Sequence, residues 1–346
     1  MPDAAASLAV LRRAAAVSPD GRSVALVFGT HDFDVLLTNW ACHALAIGIR
    51  WFVLVAFDEQ LHASLSSRSA LAKHVVLHNI SINKLTVIGE RQKFGLKALE
   101  AGLNVVHSDA DALWLRDPFP LLAEGDVVAE RIWGKPLSVV RAWGAGICTG
   151  FYFLRSTPAV RALARSVRDE IARKRKRQPT WQASDQYFVN VVLHRHGVAW
   201  RGGVRMAGME DVRTRFYDPN ATHGVVHTPK GRLRLVMLAH SVVPRACPVL
   251  SSAEMQSLAA VRAQRARRPL GGKARLWQRL RASAHVLHCF PPGGDPEPGE
   301  ARRIFMGHPK HTRAEILFAQ RQGLWRVGEG GACAPRSAQV ARRPAG

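Results

Sequence analysis

Two aspartates stand one residue apart in the stretch "NVVHSDADALWLRDPFP", residues 104–120. Asp109 and Asp111 follow the apolar pair Val105-Val106 and precede a second apolar run, Leu113-Trp114-Leu115. In extended chain, residues i and i+2 point to the same side, so both carboxylates can face one ligand. Burying an isolated charge is costly, so such a pair meets solvent, a cation or a hydrogen-bond partner. Two hard oxygen ligands with open positions suit Mg²⁺ or Mn²⁺, which keep waters and also bind substrate phosphates. The chemistry on offer is transfer from a diphosphate, with the cation neutralising the leaving group. A bare D-x-D is common, and the plain alternative is an acidic strand-to-loop junction. The preceding apolar strand and the flank "LWLRDPFP" favour a site.

The surrounding segments must position that pair. "SVALVFGT" (23–30) reads as a buried strand. "HDFDVLLTNWACHALAIG" carries Leu36, Trp40, Ala44 and Ile47 at helical spacing and stops at Gly48. "RWFVLVAFD" (50–58) is the next strand and "KHVVLHNI" a third. "RQKFGLKALEAG" is a helix ending at Gly102, a left-handed capping position. This alternation builds a parallel sheet covered by helices, in which ligands sit beyond the carboxyl ends of the strands. Asp109, Asp111, Gly29 and Thr30 all lie at such ends.

The second half is less regular. "GICTGFYFLRS" (146–156) is a strand. "TPAVRALARSVRDEIARKRKR" is a helix with Ser156 or Thr157 as N-cap and Pro158 in its first turn. Its buried stripe is Val160, Leu163, Ala164, Val167 and Ile171, and its Arg173–Arg177 run is a cationic end left in water. "SDQYFVNVVLHRHG" is a further helix, for which Asp185 or Ser184 is the N-cap. Residues 256–282 form a basic, helix-prone segment, "HVLHCF" a last strand, and "TRAEILFAQRQGLW" a closing helix. Residues 1–21 read as a flexible lead and 328–346 as a disordered tail, leaving 22–327 as one domain. Trp40 and Trp114 fall in apolar stripes and read as core, whereas Trp133, Trp143 and Trp181 sit in loop-like stretches where they can stack on a sugar.

Lys and Arg number 49 against 26 Asp and Glu, a formal charge of +23 in 346 residues. Such a surface attracts polyanions: nucleic acid, acidic lipid, anionic polysaccharide or nucleotide phosphate. The charge does not choose among them, although no pattern of a nucleic-acid-binding module stands out. Five scattered cysteines without C-x-x-C indicate no zinc or disulfide framework, and a single bridge stays open. The amino-terminal stretch lacks the apolar core of a signal peptide or anchor, so the chain reads as soluble or as a fragment without its leader.

The D-x-D stretch resembles the corresponding segment of the nucleotide-diphospho-sugar transferase family that includes plant and algal cell-wall arabinosyl- and xylosyltransferases. The likeness extends through "LVFGT", "LLTNWACHALAIGIRWFVLVAFDEQ", "KFGLKALEAGLNVVHSDAD", "TGFYFLRSTPA", "SDQYFVN", "HCF" and "RQGLW". It implies an α/β, GT-A (Rossmann-like) fold with a mixed, mostly parallel sheet flanked by helices. It implies a metal-dependent retaining glycosyltransferase that moves a pentose or hexose from a nucleotide sugar, a UDP-linked one, to a glycan or glycoprotein. Carried over by position, Asp109, Asp111 and His288 hold Mn²⁺ or Mg²⁺, with His285 and His308 as rivals to His288. Asp185 and Gln186 lie near the donor sugar, and Gly29, Thr30, Lys93, Asp109, Thr149 and Gly150 line the nucleotide sugar. One departure is plain: Cys148 stands where the family commonly has Asn, and a thiol is a weaker hydrogen-bonding group than an amide. The resemblance also implies a Golgi location, an acceptor that can be anionic, and possible peripheral contact with membrane. The competing readings are a catalytically inactive relative acting as a binding module, and a basic nucleic-acid-binding protein.

Overall fold

The computed structural model describes residues 4–81, 84–132, 136–178, 184–201, 220–239, 242–243, 284–288, 324, 326–328 and 332–333. Along the chain the elements are helix α1 (Ala4–Ala16), strand β1 (Ser23–Gly29), α2 (Asp34–Ala46), β2 (Phe52–Ala56), α3 (Glu59–Ser66), β3 (Val75–Leu77), α4 (Lys84–Glu100), β4 (Asn104–Ser108), β5 (Leu113–Trp114) and α5 (Phe119–Leu122). They continue as β6 (Val127–Ile132), α6 (Leu137–Trp143), β7 (Gly146–Leu154), α7 (Pro158–Arg177), α8 (Asp185–Arg195), β8 (Ala199–Trp200), β9 (Thr222–Thr228), β10 (Gly231–Met237) and β11 (Val286–Leu287).

Nine strands form one sheet in the order β3-β2-β1-β4-β7-β6-β10-β9-β8. The pairs β3–β2, β2–β1, β1–β4 and β6–β10 are parallel, while β7 and β9 run against their neighbours. The sheet is therefore mixed, with most strands pointing one way, as expected for the α/β class. Period-two alternation divides the core: Ala25 and Val27 of β1 pack on one face, Val24 and Leu26 on the other. The first face is covered by α2 and α3 with Trp40, Leu61 and Leu65, the second by α1, α4, α7 and α8.

Local signals set the element ends. Gly48 and Gly102 follow α2 and α4 at φ +83° and +86°, a conformation that strains residues with a side chain. The Thr157 hydroxyl accepts from Val160 N at 3.2 Å, fixing the start of α7 just before Pro158. The stripe Val160, Leu163, Ala164, Val167 and Ile171 is buried as the spacing predicts.

Three expectations are corrected. The lead read as flexible contains α1, whose Leu11, Ala14 and Ala15 are buried against the sheet; the Ala-rich composition is good helix former with one apolar face. Trp143 is a core residue at the end of α6, edge-on to His194 and Trp200 at 5.6 and 5.5 Å, not a loop residue free to stack on sugar. The tail read as disordered includes Cys333, which is disulfide-bonded to Cys42 of α2 and lies in a short antiparallel bridge with Val327. Beside that bond, Asn39 and His43 of α2 hold the segment through Leu324 O and Arg326 N. The basic stretch 256–282, the closing helix, Trp133, Trp181 and His308 lie outside the described residues.

The disulfide closes a loop across a sequence separation of 291 residues. Constraint of the unfolded chain by such a loop is worth a few kcal/mol, about 2–5. Reduction, or Cys42→Ser with Cys333→Ser, is expected to lower the thermal midpoint by several degrees. An unchanged midpoint in calorimetry would show that the bond holds nothing that matters to stability.

Candidate active site

Strand β4 delivers Asp109 to the carboxyl edge of the sheet, where Asp109 N donates to Gly150 O at 2.8 Å. The chain then turns: Ala112 N donates to Asp109 O at 3.0 Å and Leu113 N to Asp111 O at 3.1 Å. Two buried tryptophans clamp this turn. Trp40 Nε1 reaches Ser108 Oγ at 3.1 Å and Ala112 O at 2.9 Å, and Trp114 Nε1 reaches Ser108 Oγ at 3.2 Å. Their rings pack edge-on with centroids 5.0 Å apart. The apolar residues around the D-x-D thus fix its backbone, while Asp109 and Asp111 keep 36% and 28% of their side chains accessible to an incoming ligand.

A two-stranded sheet brings the third member. β11 pairs antiparallel with β5, Leu287 opposite Leu113, so His288 emerges beside Asp111. His288 Nε2 lies 3.3 Å from Asp111 Oδ1. Ligand atoms of Asp109, Asp111 and His288 all lie within 4.8 Å of one another. Cis ligands of an octahedral ion at about 2.1 Å stand about 3 Å apart, so the set fits Mg²⁺ or Mn²⁺. His285 instead turns toward the Asp117 carbonyl, with Nδ1 2.7 Å from it.

The floor is β7, irregular where it passes the site. Ala129 of β6 pairs with Tyr152, yet the next residue, Glu130, pairs with Cys148, so Thr149, Gly150 and Phe151 drop out of the β6–β7 ladder while Phe151 stays paired with Ser108 of β4. Bulges beside active sites re-aim side chains. Here Thr149 Oγ1 donates to Asp185 Oδ1 at 3.0 Å. A Cβ on Gly150 would lie 2.9 Å from Asp109 Oδ2 and would overlap the His288 ring. Glycine at 150 is what lets His288 and Asp109 close over the strand.

Asp185 begins α8 and is buried. Ser184 occupies the N-cap position, which puts Asp185 in the first turn rather than at the cap. Its Oδ1 accepts from Thr149 Oγ1 and from Gln186 N at 2.9 Å; its Oδ2 accepts from Gln92 Nε2 at 3.2 Å. Asn190, one turn on, pairs its amide with Ile147 N and O at 2.8 and 2.7 Å, fastening α8 to β7.

Sequence reasoning missed Arg91. On α4, its Nη2 donates to Asp109 Oδ1 at 3.0 Å, its Nε lies 3.8 Å from Asp185, and its guanidinium covers the Phe28 ring at 5.5 Å. Burial works against its charge, but Asp185 and Asp109 outweigh that and hold its pKa above the ordinary value. Burial raises the Asp109 pKa, with Asp111 and Asp185 adding repulsion and Arg91 and His288 opposing it. One oxygen of Asp109 serves Arg91 and the other faces Gly150 and His288, so the arginine does not close the site to a cation. Behind it His107 is kept neutral by burial and by Arg91, its pKa pushed down to about 3.

The remaining candidates divide. Gly29 ends β1 two residues past the Val27–Ser108 pair, so Gly29 and Thr30 leave the sheet beside the D-x-D. Gly29 is needed there because a Cβ would strike Leu37 of α2. Gln186 stands in the first turn of α8. Lys93 does not join the carboxylates: its Nζ pairs with Glu90 at 2.6 Å on the exposed side of α4. Cys148 is buried, with ligand atoms of Glu130 and His288 within 4.8 Å.

A family model described as nucleotide-diphospho-sugar transferase matches residues 48–236, more than half of the chain. A beta-arabinofuranosyltransferase, RAY1 of Arabidopsis thaliana, is 25% identical over 185 residues, covering 48% of this chain and 33% of the plant protein. The chain thus spans a third of that relative's length. Among solved structures, the galactosyltransferase LgtC with donor and acceptor sugar analogues is 13% identical, with a TM-score of 0.43 over 89% of this chain and 98% of LgtC. The bifunctional WbbM is 10% identical, with a TM-score of 0.43 over 88% of this chain and 52% of WbbM. Similarity at this level carries no weight for substrate.

Gly150→Ala is expected to abolish Mn²⁺-dependent UDP binding in calorimetric titration while leaving the far-UV circular dichroism unchanged. Wild-type affinity in that variant would contradict the packing of His288 and Asp109 over residue 150.

Proposed function

The chain belongs to the nucleotide-diphospho-sugar transferase family, and from that premise we propose that it is a metal-dependent, retaining GT-A glycosyltransferase moving a pentose or hexose from a UDP-linked sugar to a glycan or glycoprotein. The observation that carries this reading is the meeting of Asp109, Asp111 and His288 at the carboxyl edge of the sheet. Bound there, Mn²⁺ or Mg²⁺ would offset the charge of the diphosphate and of the leaving nucleotide. Asp109, Asp111 and His288 hold that ion. Gly29 and Thr30, leaving the sheet alongside, line the base and ribose. Thr149 and Gly150 form the surface under the donor.

Arg91 and Asp185 act on the sugar side. Arg91 holds Asp109 in place and lies between it and Asp185. Asp185 has both oxygens engaged by Thr149, Gln186 and Gln92. A carboxylate so held suits a fixed negative charge near an oxocarbenium-like centre better than a mobile nucleophile. Front-face departure and attack is therefore the favoured route to retention, with Gln186 beside the donor.

The surface charge of +23 favours an anionic acceptor or a membrane surface rich in acidic lipid. No described helix is long and apolar enough to cross a membrane. The Cys42–Cys333 bond suits an oxidising lumen such as the Golgi.

A panel of UDP-sugars tested for Mn²⁺-dependent thermal stabilisation is expected to give one donor that raises the midpoint by several degrees and is hydrolysed slowly. Asp109→Asn and Asp111→Asn should each weaken Mn²⁺-dependent UDP binding by at least about 10-fold, about 1.4 kcal/mol. Full affinity in both variants would sink the metal reading. UDP-sugar binding with no hydrolysis and no transfer to any acceptor would favour the inactive-relative reading instead.

A further inference from the structure

We infer that Glu130 is a positioning residue that sets the tautomer and aim of His288. The inference rests on the reading of His288 as a metal ligand and adds a member to that site. Glu130 lies in β6 at the point where the β6–β7 ladder breaks register, and its side chain is wholly buried. Its Oε2 is 2.6 Å from His288 Nδ1. An ionised carboxylate only accepts, so Nδ1 carries a proton, and Nε2 is the nitrogen left to give up its proton and ligate when a cation binds. That nitrogen faces Asp111 Oδ1 at 3.3 Å, the side on which the cation would bind.

A buried carboxylate is costly without a charged or strongly hydrogen-bonding partner, and β6 of this sheet could have carried an apolar residue at 130 at lower cost. The geometry gives the cost a purpose. His288 follows the two-residue strand β11, whose backbone is held by β5 and by Val242 O, but those bonds leave the rotation of its ring unset. Glu130, on a central strand of the sheet, supplies a rigid anchor. Carboxylate–histidine–metal arrangements of this kind orient the ring and raise its basicity.

The test is Mn²⁺ affinity of the full chain at a fixed UDP concentration, read from the electron paramagnetic resonance signal of free Mn²⁺, with circular dichroism as the check on folding. Glu130→Ala is expected to weaken Mn²⁺ by 10–100-fold. Glu130→Gln is expected to weaken it less, because the amide oxygen still accepts from Nδ1. On a His288→Ala background, Glu130→Ala should change the affinity by less than about twofold, since its effect passes through the ring. If Glu130→Ala does not fold, Glu130→Gln carries the same comparison: a loss of about threefold in the wild-type background that vanishes with His288→Ala. Two results overturn the inference and leave the metal reading standing: Glu130 variants that bind like wild type while His288→Ala binds weakly, or losses that simply add in the double variant. Wild-type affinity in His288→Ala overturns both.

Discussion

Repulsion among carboxylates governs this end of the molecule. Asp109, Asp111, Asp185 and Glu130 converge on one edge of the sheet, and among the described residues Arg91 and His288 are the cationic or ionisable partners in direct contact with them. Burial is the first cause of the raised Asp109 pKa, and repulsion from Asp111 and Asp185 adds to it. Arg91 relieves Asp109 and Asp185, and one oxygen of Glu130 is engaged by His288. Asp109 and Asp111 keep part of their side chains accessible, so one further positive charge would relieve the crowding. On the proposed reading, a divalent cation would supply that charge and carry a diphosphate with it.

The fold keeps these groups from moving apart. Ser108 is held by two indole N–H groups, the D-x-D turn by its own backbone bonds, and α8 by the amide of Asn190 against β7. The bulge in β7 puts Thr149 under Asp185 and leaves Gly150 flat beneath His288. Farther off, the Cys42–Cys333 bond ties the last described residues to α2, the helix that also carries Trp40.

The sequence was most legible where local pattern and position coincide. β-branched runs ending in Gly29 and Ser108 marked the first strands, glycine caps closed α2 and α4, and the aspartate pair stood out as a candidate site through its strand-end position and apolar flanks. Asp185 and His288 entered through resemblance, since nothing local to "SDQYFVN" or "HCF" says what it faces. Arg91 and Glu130 were not legible. One helical residue is about 100° of rotation, so Arg91 and Lys93 point to different sides of α4, and the sequence does not say which side meets the sheet. Glu130 required the β7 bulge, a break in pairing with no composition signal. β9 and β10 escaped although they form a tight hairpin, because His, Thr, Gly and Arg interrupt their apolar residues, and β8 is only two residues long.

The central claim is that His288 and the D-x-D share one ion, and pulsed electron paramagnetic resonance of bound Mn²⁺ tests it most directly. The account predicts modulation from one coordinated imidazole nitrogen in the wild-type protein with UDP, absent in His288→Ala. Bound Mn²⁺ with no nitrogen coupling, or with coupling that survives the loss of His288, would contradict it.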